Sequence, residues 1–79
     1  MLPDKLPSDV RQNRVIKALK RAGFVISYQG GKGSHCKATD PKTRKFLIVQ
    51  YDLKKGELKE ILKAAEEFGH NAAEIMNYY

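Results

Sequence analysis

Apolar residues recur at helical spacing twice in this chain, and each run stops at a glycine. Val15, Ile16, Leu19 and Ala22 form one stripe that ends before Gly23, and Leu58, Ile61, Leu62 and Ala65 form a second that ends before Gly69. Between them the residues suit strands. Residues 24–29, Phe-Val-Ile-Ser-Tyr-Gln, are β-branched and aromatic, and residues 46–51, Phe-Leu-Ile-Val-Gln-Tyr, are apolar on both faces at their start. The second of these predicts a central or covered strand. Two amphipathic helices need a surface on which to bury their stripes, and a small antiparallel sheet supplies it.

The middle strand is read from its flanks. Gly30-Gly31-Lys32-Gly33 places three glycines in four positions, so the backbone can turn with positive φ. Residues 34–39, Ser-His-Cys-Lys-Ala-Thr, then return as the second arm of a hairpin. Period-two alternation puts His35, Lys37 and Thr39 on one face and Ser34, Cys36 and Ala38 on the other. Asp40-Pro41-Lys42-Thr43-Arg44-Lys45 is a charged turn with Pro41 at its second position. Ser8 or Asp9 is expected to cap the first helix, with Asp9 and Gln12 at capping-box spacing, and the second helix is expected over residues 57–68. Asn71 and Glu74 repeat that spacing before a last short helix through Ile75 and Met76, too short to stand without docking. The expected fold is α+β: α-β-β-β-α with a three-stranded antiparallel sheet, helices on one face, and a short C-terminal helix. Residues 1–79 read as a single domain, with an irregular arm at 1–7 and a short helical tail at 70–79.

Composition narrows the class. Apolar residues are 42% of the 79, enough for one core and too many for a disordered tail. No apolar run approaches the ~20 residues that a membrane span requires, so no membrane partner is expected. The opening Met-Leu-Pro-Asp-Lys-Leu-Pro-Ser-Asp lacks a charged-then-apolar signal pattern. Cys36 is alone, which leaves no internal disulfide and no cysteine metal cage. These features together point to a cytoplasmic protein, and a thin core with apolar residues in the tail leaves a homodimer open. The net charge of +6 is uneven: residues 1–45 hold 11 Lys/Arg against 3 Asp/Glu, and residues 46–79 hold 4 against 6. A phosphate backbone could lie against the basic half, although a solvated basic surface has the same composition.

Paired histidines, His-Glu-x-x-His and Cys/His clusters are all missing, so no metal and no cofactor is expected. The glycine-rich turn joins two strands rather than opening a helix, and it lacks the Gly-Lys-Ser/Thr ending of a P-loop. His35 remains. It follows the flexible turn, stands on the polar face of its strand, and has Lys32 and Lys37 close in sequence. Imidazole alone among side chains titrates near neutrality when unperturbed, so it can take or give a proton at physiological pH. RNA carries its own nucleophile in the 2′-OH, and proton transfer with cationic stabilisation of the phosphorane is then sufficient. One histidine and two or three Lys/Arg could provide both, while a strand histidine that merely hydrogen-bonds remains the plainer alternative. Cys36 is expected to point inward as a small core residue. His70, after a helix-ending glycine, is expected to be a solvated surface residue. Tyr28 and Tyr51 are expected in strand packing, with base stacking as the alternative. Tyr78 and Tyr79 could cap the core, mediate association, or fray.

Three segments carry a resemblance. Lys17-Ala18-Leu19-Lys20-Arg21-Ala22-Gly23-Phe24, Gly33-Ser34-His35, and Lys55-Gly56-Glu57-Leu58-Lys59-Glu60-Ile61-Leu62-Lys63-Ala64-Ala65 stand in the order and spacing seen in the HicA toxins, so the chain resembles that family over residues 14–69. The resemblance implies a fold like the double-stranded RNA-binding domain and cleavage of messenger RNA by the histidine of Gly-Ser-His, here His35. It also implies inhibition by a HicB-type antitoxin partner. On that basis His35 is the candidate catalytic residue. Lys32, Gly33, Ser34 and Lys37 are candidates to hold phosphate beside it, and Arg11, Arg14, Lys17 and Lys20 are candidates to hold the RNA. The alternatives are a non-catalytic RNA-binding module of the same fold, and an interaction protein whose basic face meets an acidic chain.

Overall fold

The computed structural model describes residues 6–29 and 35–79. Along the chain run α1 (Gln12–Arg21), β1 (Val25–Gln29), β2 (His35–Thr39), β3 (Phe46–Gln50), α2 (Lys55–Glu67) and α3 (Ala72–Asn77). The strands form one antiparallel sheet in the order β1-β2-β3, with Tyr28 opposite Cys36 and Cys36 opposite Val49. The expected α+β architecture is present.

Both long helices stop for the same reason. Gly23 has φ +112 and Gly69 φ +100, the left-handed region that a side chain disfavours. Behind each, the freed carbonyls of the last turn are recovered by two reverse bonds. Gly23 N–H donates to Lys20 C=O and Phe24 N–H to Leu19 C=O, while Gly69 N–H donates to Glu66 C=O and His70 N–H to Ala65 C=O. This is the Schellman pattern at both ends.

The helix starts depart from expectation in instructive ways. The N-cap of α1 is Arg11, and no side chain caps it. The Asp9 carboxylate is engaged by the Arg11 guanidinium at 3.2 Å, and the Arg11 N–H donates instead to the Tyr79 hydroxyl at 3.1 Å. A residue from the far end of the chain thus anchors the start of the helix, with no side-chain cap. α2 begins two residues earlier than the spacing predicts, because Glu57 in its first turn reaches back to accept the Lys54 N–H at 2.9 Å. The last helix starts as predicted, with Asn71 Oδ1 accepting from Ala73 N–H at 2.9 Å.

All helices pack on one side. Val15, Leu19, Leu58, Leu62 and Ala65 meet Cys36, Ala38, Leu47 and Val49 from the sheet, and α3 docks on α1 and α2 with Ala72 and Ile75 buried. Thus the apolar tail residues are largely spent within the chain, and Met76, Tyr78 and Tyr79 are partly buried against the same core.

One expectation about the sheet is corrected. β3 is neither central nor covered: it is an edge strand, and its outward residues Phe46 and Ile48 stay 52% and 41% exposed. Its first residues are apolar on both faces because one face builds the core and the other, among the described residues, has no element packed over it. Tyr28 and Tyr51 do not pack either, at 66% and 70% exposure. Tyr28 lies opposite the buried Cys36 near the end of β1, and Tyr51 follows the last residue of β3.

Candidate functional site

β2 carries the candidate histidine at its first position. Its exposure alternates along the strand, so Cys36 and Ala38 are fully buried while His35, Lys37 and Thr39 project from the opposite face. Small side chains at the two inward positions let α1 approach the central strand closely. The outward positions are therefore held by a backbone that is well fixed from beneath. By register His35 lies between Gln29 of β1 and Gln50 of β3, and its side chain is exposed.

Lys37 shares that outer face two residues on, opposite Ser27 and Ile48. Its ammonium sits 4.3 Å from the centre of the Phe46 ring, a cation–π contact that draws its charge over β3. Among the fifteen residues of the three strands there is no Asp or Glu. Across the sheet Val25 is 58% exposed, so Val25, Phe46 and Ile48 together make the outer face apolar as well as cationic.

Other candidates fall elsewhere. Lys32, Gly33 and Ser34 lie outside the described residues. Lys17 and Lys20 are exposed on the solvent side of α1, which packs on the inner sheet face, so the sheet separates them from His35. Gln12 Nε2 donates to the Val49 carbonyl at 3.1 Å, which sets the start of α1 over the sheet end where His35 stands, on the opposite side. Arg11 is engaged with Asp9. Arg14 donates from Nε and Nη2 to the Tyr79 backbone oxygen at 3.1 and 2.5 Å, and its guanidinium lies 4.4 Å from the Tyr79 ring centre. The structure thus groups His35 with Lys37, and groups Arg11 and Arg14 around Tyr79.

Two groups that could have been mistaken for chemistry are structural. Cys36 is completely buried and its thiol pKa is pushed up by that burial, which disfavours the reactive thiolate. His70, expected in solvent, is only 20% exposed along its side chain. Its ring stacks on Phe24 at 4.4 Å, and Nε2 lies 3.2 Å from Oδ1 of Asp40. Asp40, 1% exposed, also accepts from the Thr43 hydroxyl at 2.8 Å and from the Thr43 N–H at 3.3 Å. Its carboxyl is held below the usual carboxylate range chiefly by the Thr43 hydroxyl. Its own burial pushes the other way, and His70 and the backbone N–H groups of Thr43 and Lys42 add to the lowering. This cluster ties the β2–β3 turn to the ends of α1 and α2. The signal that could have found it is the pair of helix-ending glycines, since Phe24 and His70 are the residues immediately after them.

Sequence reasoning also missed the Lys37–Phe46 pair. Each residue was legible alone, but a diagonal neighbour across two strands is visible only once register is known.

Among the described residues, no three of His, Cys, Asp and Glu gather as a metal-binding group, and no helix is long and apolar enough to cross a membrane. No curated protein and no solved structure matches the chain significantly. The family model for the HicA toxin of bacterial toxin-antitoxin matches residues 13–66, from the start of α1 almost to the end of α2. With that span covering well over half of the chain, and with the α+β fold in place beneath it, the protein belongs to the HicA toxin family.

Proposed function

We propose that this toxin is a metal-independent endoribonuclease that cleaves messenger RNA in the cytoplasm, with His35 as its catalytic residue. The observation that carries the reading is the exposed imidazole at the first position of β2, on a sheet face that no described helix covers, with Lys37 two residues on. In this reading the ribose 2′-OH gives up its proton and attacks the adjacent phosphorus. The P–O5′ bond breaks, and the departing 5′-oxygen takes up a proton to leave as a 5′-hydroxyl beside a 2′,3′-cyclic phosphate. His35 transfers a proton as general base or acid, and Lys37 with Lys32 steadies charge on the phosphorane. The amides of Gly33 and Ser34 contact phosphate, and Arg11, Arg14, Lys17 and Lys20 hold RNA on the helical side. A HicB-type antitoxin is the partner that keeps the protein inactive, which accords with membership of a toxin–antitoxin family.

The test is a His35→Ala variant assayed on purified RNA beside the wild type. Loss of an acid–base group costs about 10²–10⁴ in rate. A loss of that size with normal folding supports the proposal, and equal cleavage removes His35 from the mechanism. If the wild type binds RNA strongly and salt-sensitively but never cuts it, the non-catalytic RNA-binding module is the correct reading.

A further inference from the structure

The surface that carries His35 has more built into it than one histidine needs. A nucleotide presents a flat π-face and an anionic phosphate a few ångströms apart. The outer sheet face holds the matching pair already assembled: the Phe46 ring, half exposed, with the Lys37 ammonium 4.3 Å from its centre. Val25 and Ile48 extend the apolar ground on either side of β2. The strands contribute no carboxylate to repel a polyanion. At the end of the sheet away from His35, the β2–β3 turn carries Lys42, Arg44 and Lys45, all exposed, and its one acid, Asp40, is buried and bonded to Thr43 and His70.

We infer that the RNA bound for cleavage is single-stranded and lies across the outer sheet face from His35 toward the β2–β3 turn. A base stacks on Phe46 in the place the Lys37 ammonium takes in the free protein, and that ammonium turns onto the adjoining phosphate. The inference rests on the ribonuclease reading for its direction, because His35 marks the cleavage point. A duplex hides its base faces in the stack and meets proteins through backbone and groove shape, so an exposed ring on a flat apolar strand surface offers it little. A single strand can splay its bases onto aromatic rings without regard to sequence. Five strand residues at about 3.3 Å each span roughly 16 Å, room for more than one nucleotide between His35 and the turn. Phe46 is on this account a binding residue for the substrate. The exposed cations of α1 lie on the other side of the sheet and are secondary.

The experiment measures binding in the His35→Ala background, so that cleavage does not consume the probe. The probes are an unstructured, fluorescently labelled RNA of mixed sequence and a blunt duplex RNA of the same length. The single strand is expected to bind more tightly. Phe46→Leu, which keeps apolar bulk but removes the π-face, is expected to weaken single-strand binding about tenfold, and Phe46→Trp to restore it. Replacing Lys17 and Lys20 together by Ala is expected to cost less than Phe46→Leu. Tighter binding of the duplex overturns the inference. So does unchanged binding in Phe46→Leu, a loss that Trp does not restore, or a variant that loses antitoxin capture while binding RNA normally. Should the unmodified protein cut no RNA and Phe46→Leu still lose the single strand, the catalytic reading fails and the binding face stands. Should the protein cut RNA with Phe46 irrelevant, the reverse holds.

Discussion

The two faces of the sheet are built from the same three strands and have opposite characters. Inward, Cys36, Ala38 and Val49 are wholly buried beneath α1 and α2, and α3 packs on those two helices. Outward, His35, Lys37, Phe46 and Ile48 meet solvent, and no described element packs over them. A chain this small has little apolar surface to spare, since a domain of its size buries only about 60–65% of what its unfolded form exposes. Leaving Val25, Phe46 and Ile48 uncovered therefore sacrifices stability that a helix or a polar substitution could have recovered. The contrast teaches that the inner face is there to hold the outer one flat, and that substitutions on the two faces should separate stability from activity.

The largest expected effect is on activity from the outer face. His35→Ala should reduce RNA cleavage about 10²–10⁴-fold while its unfolding midpoint stays close to wild type, as exposed positions contribute within about 0.5 kcal/mol. A variant that lost both together would break the division between faces. Next comes Leu62→Ala on the inner side. Leu62 is fully buried, and truncation there should cost about 2–5 kcal/mol in denaturant unfolding, much of the stability of a small domain. Any residual activity in that variant should track its folded fraction.

A smaller effect sharpens the account of how the helices end. Gly69 has φ +100, and nothing lies within 4 Å of where a Cβ would stand, so Gly69→Ala should cost about 1–2 kcal/mol through backbone strain alone. A neutral result in thermal unfolding would show that the turn relaxes. Subtlest is the pH dependence from Asp40. Its folded pKa is depressed, so its stabilising contribution is complete above the unfolded value of about 3.9 and is lost as pH falls through the lower folded value. Melting curves of wild type and Asp40→Asn should differ most at neutral pH and converge in acid. Curves that stay parallel down to strong acid would mean that the Thr43 and His70 contacts contribute nothing through ionisation.

Much of this division is legible in the sequence. Helical spacing at Val15–Ala22 and Leu58–Ala65 located both long helices, the glycines located their ends, and alternation alone put His35 and Lys37 on the face away from Cys36. What stayed hidden involves partners distant in the chain. Tyr79 holds the start of α1, 68 residues away, through its hydroxyl, and holds Arg14 through its ring and backbone oxygen. No local pattern around Arg11 or Arg14 announces that. Strand order is equally nonlocal: the apolar pattern of β3 fits a covered strand as well as an edge strand with one exposed apolar face. His70 looked solvated because a residue after a helix-ending glycine often is, and only the meeting of two helix ends brings it onto Phe24 and Asp40.

The most direct test of the mechanism is the chemistry of the cut ends. If His35 moves protons for the RNA's own 2′-OH, cleavage in the presence of EDTA should continue. It should leave a 2′,3′-cyclic phosphate on one fragment and a 5′-hydroxyl on the other, and a substrate with 2′-deoxyribose at the cleaved position should survive intact. Fragments ending in a 3′-hydroxyl and a 5′-phosphate, or cutting of the deoxy-substituted strand, would contradict it.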